Sequence, residues 1–381
     1  MTSYGSAIRD EWALAPGYVT VNHGSFGATP RAVLAAQQMW RDRMEAQPSR
    51  FFRSIVPAAL RDAAAALASF LNADSADLAF VTNATQGCNA VLRSLAFAPS
   101  DEILVLGHVY GAVRNTVRYV ASRHAATMVE APIPFPRPDA DTIAANVAAA
   151  ITPRTRLAVI DHITSSSALI TPLPAIIAAC HAKGVPVLVD GAHGPGQVTL
   201  DLPALNADWY VGNCHKWLNA AKGCAFLWAR HDRQTDLHPA VISHGYGKGF
   251  LAEFDWTGTW DPSALLSITA ALEFHARLGG PTLRARNAAL AAEAAAMVAA
   301  RFGTETGHGN QPTGSMAMVR LPAPAMDAPA MLALRDRLLD AGTDVPLHLH
   351  AGQAWLRLSA QAYNELDDYA RMADIVLATL R

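Results

Sequence analysis

Lysine is scarce in this chain. Four lysines, Lys183, Lys216, Lys222 and Lys248, stand among 381 residues, and arginine supplies the rest of the positive charge. No surplus of either sign exists: 30 basic against 32 acidic side chains leave a net charge of -2, which gives no electrostatic case for nucleic acid or an anionic membrane surface. Long apolar runs are missing too. The Ala-rich "RNAALAAEAAAMVAARF" is interrupted by Arg286, Glu293 and Arg301 and reads as an ordinary helix, not a membrane span. Cysteine is limited to Cys88, Cys180, Cys214 and Cys224 without CxxC spacing, which suits reduced, buried thiols and not a disulfide framework. The opening "MTSYGSAIRDEWALAPG" shows no basic segment leading into an apolar run, so a cytoplasmic location is expected.

What is present is alternation. The apolar stretches "LAFVT", "EILVLGH", "RLAVID", "VPVLVD", "ADWYVGN" and "GCAFLWAR" read as strands. Several of them alternate with helical segments such as "QGCNAVLRSLA" and "LPAIIAACHAKG". Near-continuous apolar strands interleaved with helices predict an α/β fold with a mostly parallel sheet covered on both faces. Beyond residue 263 helical content rises, and "SMAMVRL" and "AWLRLSA" read as strands of a smaller unit. The expected organisation is an N-terminal arm (1–14), a large α/β domain (15–262) whose residues 15–50 can pack on the smaller unit, and a linking helix with a small α+β domain (263–381).

In open α/β sheets, ligands sit beyond the carboxyl ends of the strands. Polar residues gather at five such ends: Thr85 and Gln86, His108 and Tyr110, Thr164 and Ser165, Asp190 and His193, His215 and Lys216. Asp190 follows "VPVLV" directly. It either caps a turn or holds a protonated ring nitrogen of a bound group, because a carboxylate ending a buried strand needs a partner. Lys216, in "VGNCHKWLNAAKG", is either a loop lysine or a buried amine whose lowered pKa makes it a nucleophile and base. "TNATQG" opens a helix, and helix N-termini favour phosphate, although any capped helix looks similar.

Taken together, "VTNATQGCNAVLRSL", "DGAHGPGQ" and "NCHKWL" resemble the class V aminotransferase family of pyridoxal-phosphate (PLP) enzymes. "VNHGSFGATPRAV" and "WTGTWDPSA" are similar to its isopenicillin N epimerase-like branch, which also includes carbon–sulfur lyases. The resemblance spans about residues 19–375. It implies the PLP-dependent transferase (aspartate aminotransferase-like) fold, a seven-stranded type of sheet, and PLP as cofactor. By the same resemblance, Lys216 forms the Schiff base, Asp190 pairs with the pyridine nitrogen, and His193 meets the ring hydroxyl oxygen with help from Ser165. Tyr110 stacks on the ring, and Thr85, Gln86 and His215 hold the phosphate. Thr259 reaches the phosphate from a neighbouring subunit, which implies a homodimer with shared sites. Arg357 clamps the substrate carboxylate, and Asn22 and His23 line the substrate entrance. Relatives often carry arginine at the position of Trp260, so no substrate contact is assigned there.

The expected chemistry acts at the α-carbon of an amino acid. Lys216 removes the α-proton, and epimerase or aminotransferase-type chemistry ranks first on the branch motifs. Carbon–sulfur β-elimination from a cysteine conjugate or sulfoxide is the alternative. A desulfurase that stores sulfur as a persulfide needs a mobile cysteine, and no cysteine follows Cys224. A catalytically silent PLP-binding module is disfavoured by the joint presence of Lys216, Asp190 and Arg357. No metal is expected: His348 and His350 face one side of a strand but lack a third ligand. Arginine cannot form a Schiff base, which accounts for a lysine at position 216 in so lysine-poor a chain.

Overall fold

The computed structural model describes residues 3–381. Its twelve strands, in chain order, are β1 Val19–Thr20, β2 Leu78–Val81, β3 Glu102–Leu106, β4 Thr127–Ala131, β5 Thr155–Asp161, β6 Val187–Asp190, β7 Trp209–Asn213, β8 Ala225–Ala229, β9 Met316–Arg320, β10 Thr343–Asp344, β11 Leu347–His350 and β12 Gln353–Ser359. Seven of them form one sheet in the order β2-β8-β7-β6-β5-β3-β4. The pairings β3–β4, β3–β5, β5–β6 and β6–β7 are parallel, and β8 alone runs against its neighbours. The mostly parallel α/β sheet expected from the apolar runs is therefore present.

Apolar side chains fill both faces of this sheet. On one side Leu104, Ile160, Val189 and Phe226 meet the helices Val56–Phe70 and Leu173–His181. On the other, Ile103, Val159, Leu188 and Val211 meet the helices Ala84–Ser94 and Gly111–His124. With both faces covered, alternation of polar and apolar residues along these strands is lost.

A second, antiparallel sheet has the order β11-β12-β9. The helices Pro281–Phe302, Ala328–Asp340 and Leu366–Leu380 bury their apolar stripes against it, with Val298, Leu338, Leu356 and Val376 fully enclosed. The short β1 pairs in parallel with β10, and the Ser359 N–H donates to the Val21 carbonyl, so the N-terminal strand joins this second unit. The linking helix expected beyond residue 263 is divided at Ser267 into Ser263–Leu266 and Ile268–Arg277. No helix among the described residues is long and apolar enough to cross a membrane.

The carboxyl ends of β2, β3, β5, β6 and β7 point the same way, and the polar loops that follow them converge on one cavity.

Candidate active site

β7 delivers the lysine. The turn after Asn213 is closed by N–H groups of Cys214 and His215, which both donate to the Cys224 carbonyl. A second segment clamps this turn from outside. Gly27, at φ +71°, lies so close that a Cβ would collide with the His215 carbonyl, and only glycine fits there without strain. His23 is buried, with Nε2 2.9 Å from the Lys216 carbonyl oxygen and Nδ1 3.0 Å from the Tyr363 hydroxyl. Lys216 is 9% exposed, with Nζ 3.2 Å from His193 Nε2.

The protonation of that pair follows from a third residue. The indole of Trp217 is a donor only, and its Nε1 lies 3.2 Å from His193 Nδ1. Nδ1 is therefore the acceptor and Nε2 carries the imidazole proton, so Lys216 Nζ accepts it as a neutral amine. The electrostatics agree. Burial pushes the Lys216 amine down to about 7, the Arg357 guanidinium lowers it further, and Asp190 opposes the shift. Burial and Lys216 likewise hold His193 well below the usual imidazole range.

Asp190 ends β6 at 3% exposure, with Oδ1 accepting the Ala192 N–H at 3.0 Å. Burial raises its carboxyl, against the pull of that N–H and of Lys216. A Cβ on the next residue, Gly191, would strike the Tyr210 ring, so the turn out of β6 requires glycine.

The helix Ala84–Ser94 points its N-terminus at the same cavity. Asn83 Oδ1 caps it by accepting the Gln86 N–H at 2.9 Å, and Asn213 Oδ1 accepts the Ala84 N–H at 2.8 Å, which ties the helix start to the lysine strand. The positive end of the helix dipole there favours an anion. Thr85 and His215 line the cavity at this end. The Gln86 side chain does not: its Oε1 accepts the Thr82 N–H at 2.7 Å and the Thr82 hydroxyl at 2.9 Å.

Arg357, on β12, is buried yet has no ion-pair partner among the described residues. Its guanidinium donates to the Ser165 carbonyl at 2.7 Å, to Ser165 Oγ at 3.1 Å and to Ser25 Oγ at 2.9 Å, while Nε is left without a partner. Burial lowers it to about 10. A buried cation held only by neutral groups is poised for an anionic ligand. Neighbouring contacts fix the serine loop: His350 Nε2 is 2.8 Å from the Ser166 carbonyl oxygen and His108 Nδ1 is 2.8 Å from Ser167 Oγ.

Lys216, Asp190, His193, Thr85, Tyr110, Ser165 and His215 thus line one cavity of about 380 Å³. Asn22 and His23, expected at its entrance, are buried beside it: Asn22 Nδ2 donates to Asp344 Oδ1 at 2.9 Å, and both His23 nitrogens are engaged. Ser25 and Phe26 from the same segment line the cavity instead. Thr259 is exposed on the loop before Asp261 and lies outside the cavity. Sequence reading passed over Asn83, Asp161 and Asn213, which also line it. Asn213 opens the "NCHKWL" motif and Asn83 is a helix cap by type, whereas Asp161 carries no signal beyond ending a strand.

The donor set fits PLP. A buried carboxylate end, a neutral amine with an imidazole beside it, and an anion-favouring helix start share one space, and buried Asp161 Oδ2 has no partner there. Among the described residues no group of three or more His, Cys, Asp or Glu is placed to hold a metal ion.

The chain is similar to known proteins along most of its length. The profile of the family described as Aminotransferase class-V matches residues 27–371. A protein named probable L-cysteine desulfhydrase, chloroplastic, from Arabidopsis thaliana is 32% identical over 96% of this chain and 84% of its own length. Isopenicillin N epimerase from Streptomyces clavuligerus is 33% identical over 96% of both chains. Among solved structures, the cystine C–S lyase C-DES with its product cysteine persulfide superposes at a TM-score of 0.83, with 21% identity over 95% of this chain and 98% of that one.

Proposed function

The chain belongs to the class-V aminotransferase family and is a PLP-dependent enzyme, and from that premise we propose that it cleaves the carbon–sulfur bond of cysteine or a cysteine conjugate by β-elimination. When bound, PLP supplies an aldehyde that condenses with amines and a ring that takes up an electron pair. The chain's own residues do the rest. Lys216 would hold the cofactor through its amine and would take the proton from the substrate α-carbon. Arg357 binds the substrate carboxylate, and Ser165 and Ser25 orient that guanidinium. Asp190 would pair as an anion with the ring nitrogen, His193 and Ser165 would meet the ring oxygen, and Tyr110 would cover the ring. The helix start at Thr85, with His215, would hold the phosphate. The α-carbon to hydrogen bond and the β-carbon to sulfur bond break. The sulfur leaves with a proton as sulfide or thiol, and water then releases ammonia and pyruvate.

The observation that carries this reading is the Lys216–His193 pair, 3.2 Å apart. His193 keeps the Lys216 amine neutral, so Lys216 can take the α-proton as a base and, once protonated, hand that proton to the departing sulfur. The thiols support release over storage. All four are buried, and burial pushes Cys88 and Cys214 well up and Cys180 up to about 12, so none is a ready sulfur acceptor. The assay is sulfide and pyruvate release from L-cysteine and S-conjugates. Cys→Ala variants retain it, and absence of both products across that panel overturns the reading.

Epimerisation is the second reading. Tyr110, 44% exposed, puts a phenol at the same cavity as Lys216, and two groups exchanging the α-proton from opposite sides invert the centre. Inversion with solvent deuterium at the α-carbon, without sulfide, selects it.

The enzyme is further proposed to act as a homodimer. Thr259 stays outside its own chain's cavity, and Phe26 at the cavity is 65% exposed, which supports completion of the site by a second copy. A monomeric mass at micromolar concentration in light scattering ends that proposal.

A further inference from the structure

Asp161 is a buried ionisable group of the cavity to which the reaction above gives no task. β5 and β6 run parallel and set Asp161 and Asp190 opposite each other as Cα partners, each the last residue of its strand. Partners of this kind project to the same face of a sheet. Both line the cavity, at 2% and 3% exposure. Asp161 Oδ1 accepts the Tyr110 N–H at 3.2 Å, while Oδ2 is buried with no partner.

Two ionised carboxylates side by side away from water repel each other, and an ionised oxygen without a donor is costly to bury. The cations nearby do not resolve this. Lys216 is held as a neutral amine by His193, and Arg114 is already engaged by Glu130 and the Gly107 carbonyl. Burial and the neighbouring Asp190 push the Asp161 carboxyl well above its usual range, with the Tyr110 N–H opposing. A single ring cation also matches a single carboxylate.

We propose that Asp161 is a neutral carboxylic acid in the working enzyme, its proton on Oδ2, and that it is a positioning residue which leaves the negative charge at this end of the cavity on Asp190 alone. The proposal rests on the reading of Asp190 as the partner of the cofactor ring nitrogen.

The test is infrared spectroscopy of the PLP-loaded enzyme at neutral pH, with and without carbon-13 in the aspartate carboxyls. The wild type shows a protonated-carboxyl C=O band, above the amide region, that shifts on labelling, and Asp161→Asn loses it. Absence of a labelled band in the wild type overturns the proposal without need of any variant. A labelled band that survives Asp161→Asn overturns it as well. Asp190 is probed separately, by loss of the cofactor's visible band in Asp190→Asn, so either assignment can fail alone.

Discussion

Lys216 and His193 share one proton, and the Trp217 indole fixes which of them carries it. The amine is lowered to about 7 chiefly by burial. Only the neutral amine attacks an aldehyde, so capture of PLP by the apoenzyme accelerates as pH rises through about 7 and levels off above it. One unit below, about a tenth of the amine is free. Stopped-flow appearance of the visible cofactor band across pH 6 to 9 reads this directly. A rate still climbing toward pH 10 means the amine keeps its ordinary basicity.

The two lysines of the turn separate cleanly. Lys216 Nζ lies in the cavity, whereas Lys222 Nζ points to Thr29 Oγ1 at 3.5 Å. Lys216→Ala abolishes the visible band of covalently held cofactor, and Lys222→Ala keeps it. The reverse pattern in the absorption spectra reassigns the nucleophile.

Much of this was legible from the chain. The apolar strands "VPVLV" and "RLAVI" announce a buried parallel sheet because both faces are covered, and the polar residues after them fall at its carboxyl edge. Lys216 and Asp190 stand out since each ends or follows such a strand with a charge that burial makes costly. The rest depends on contacts distant in sequence. Gln86 turns to Thr82 because a helix start offers its side chain a nearby amide, and no spacing rule says which way it goes. His23 sits under the lysine turn through a contact 193 residues apart, and Asp161 matters through strand register, which the sequence does not print.

Arg357 offers a guanidinium with no acid partner, so its removal is felt by substrates that bear a carboxylate. Arg357→Ala raises KM for α-amino acids about 10- to 100-fold, the worth of a charge-assisted hydrogen-bonded pair. Amines without a carboxylate form their cofactor adducts as before. Spectral titration with an amino acid and its decarboxylated amine makes the comparison, and equal loss for both assigns Arg357 to structure.

Gly27 and Gly184 share a φ of +71°, but they differ in surroundings. A Cβ at Gly27 collides with the His215 carbonyl and lies 3.2 Å from Lys216 Cα, whereas one at Gly184 meets nothing within 4 Å. Gly184→Ala therefore carries only the backbone strain, about 1 kcal/mol. Gly27→Ala adds displacement of the lysine turn and costs about 2 kcal/mol or more, with weakened cofactor retention. Urea midpoints of the two variants, with the visible band followed in parallel, decide the matter. Equal losses mean the turn yields freely.

Buried and half-buried histidines make the fold acid-sensitive. His23, His108, His162 and His275 are each pushed down to about 4, burial being the largest cause. Unfolded, each takes its proton near 6.5, so between about 6.5 and 4 the unfolded chain binds more protons and stability falls as pH falls. Each group accounts for up to about 3 kcal/mol of that loss. His275 isolates the effect, because neither ring nitrogen has a partner and the ring packs edge-on against Phe70 at 5.7 Å. His275→Phe removes a proton site without breaking a hydrogen bond. Its urea midpoint drops less than that of the wild type between pH 7 and pH 5. Parallel drops in both proteins show that His275 is already solvated in the folded state and carries no penalty.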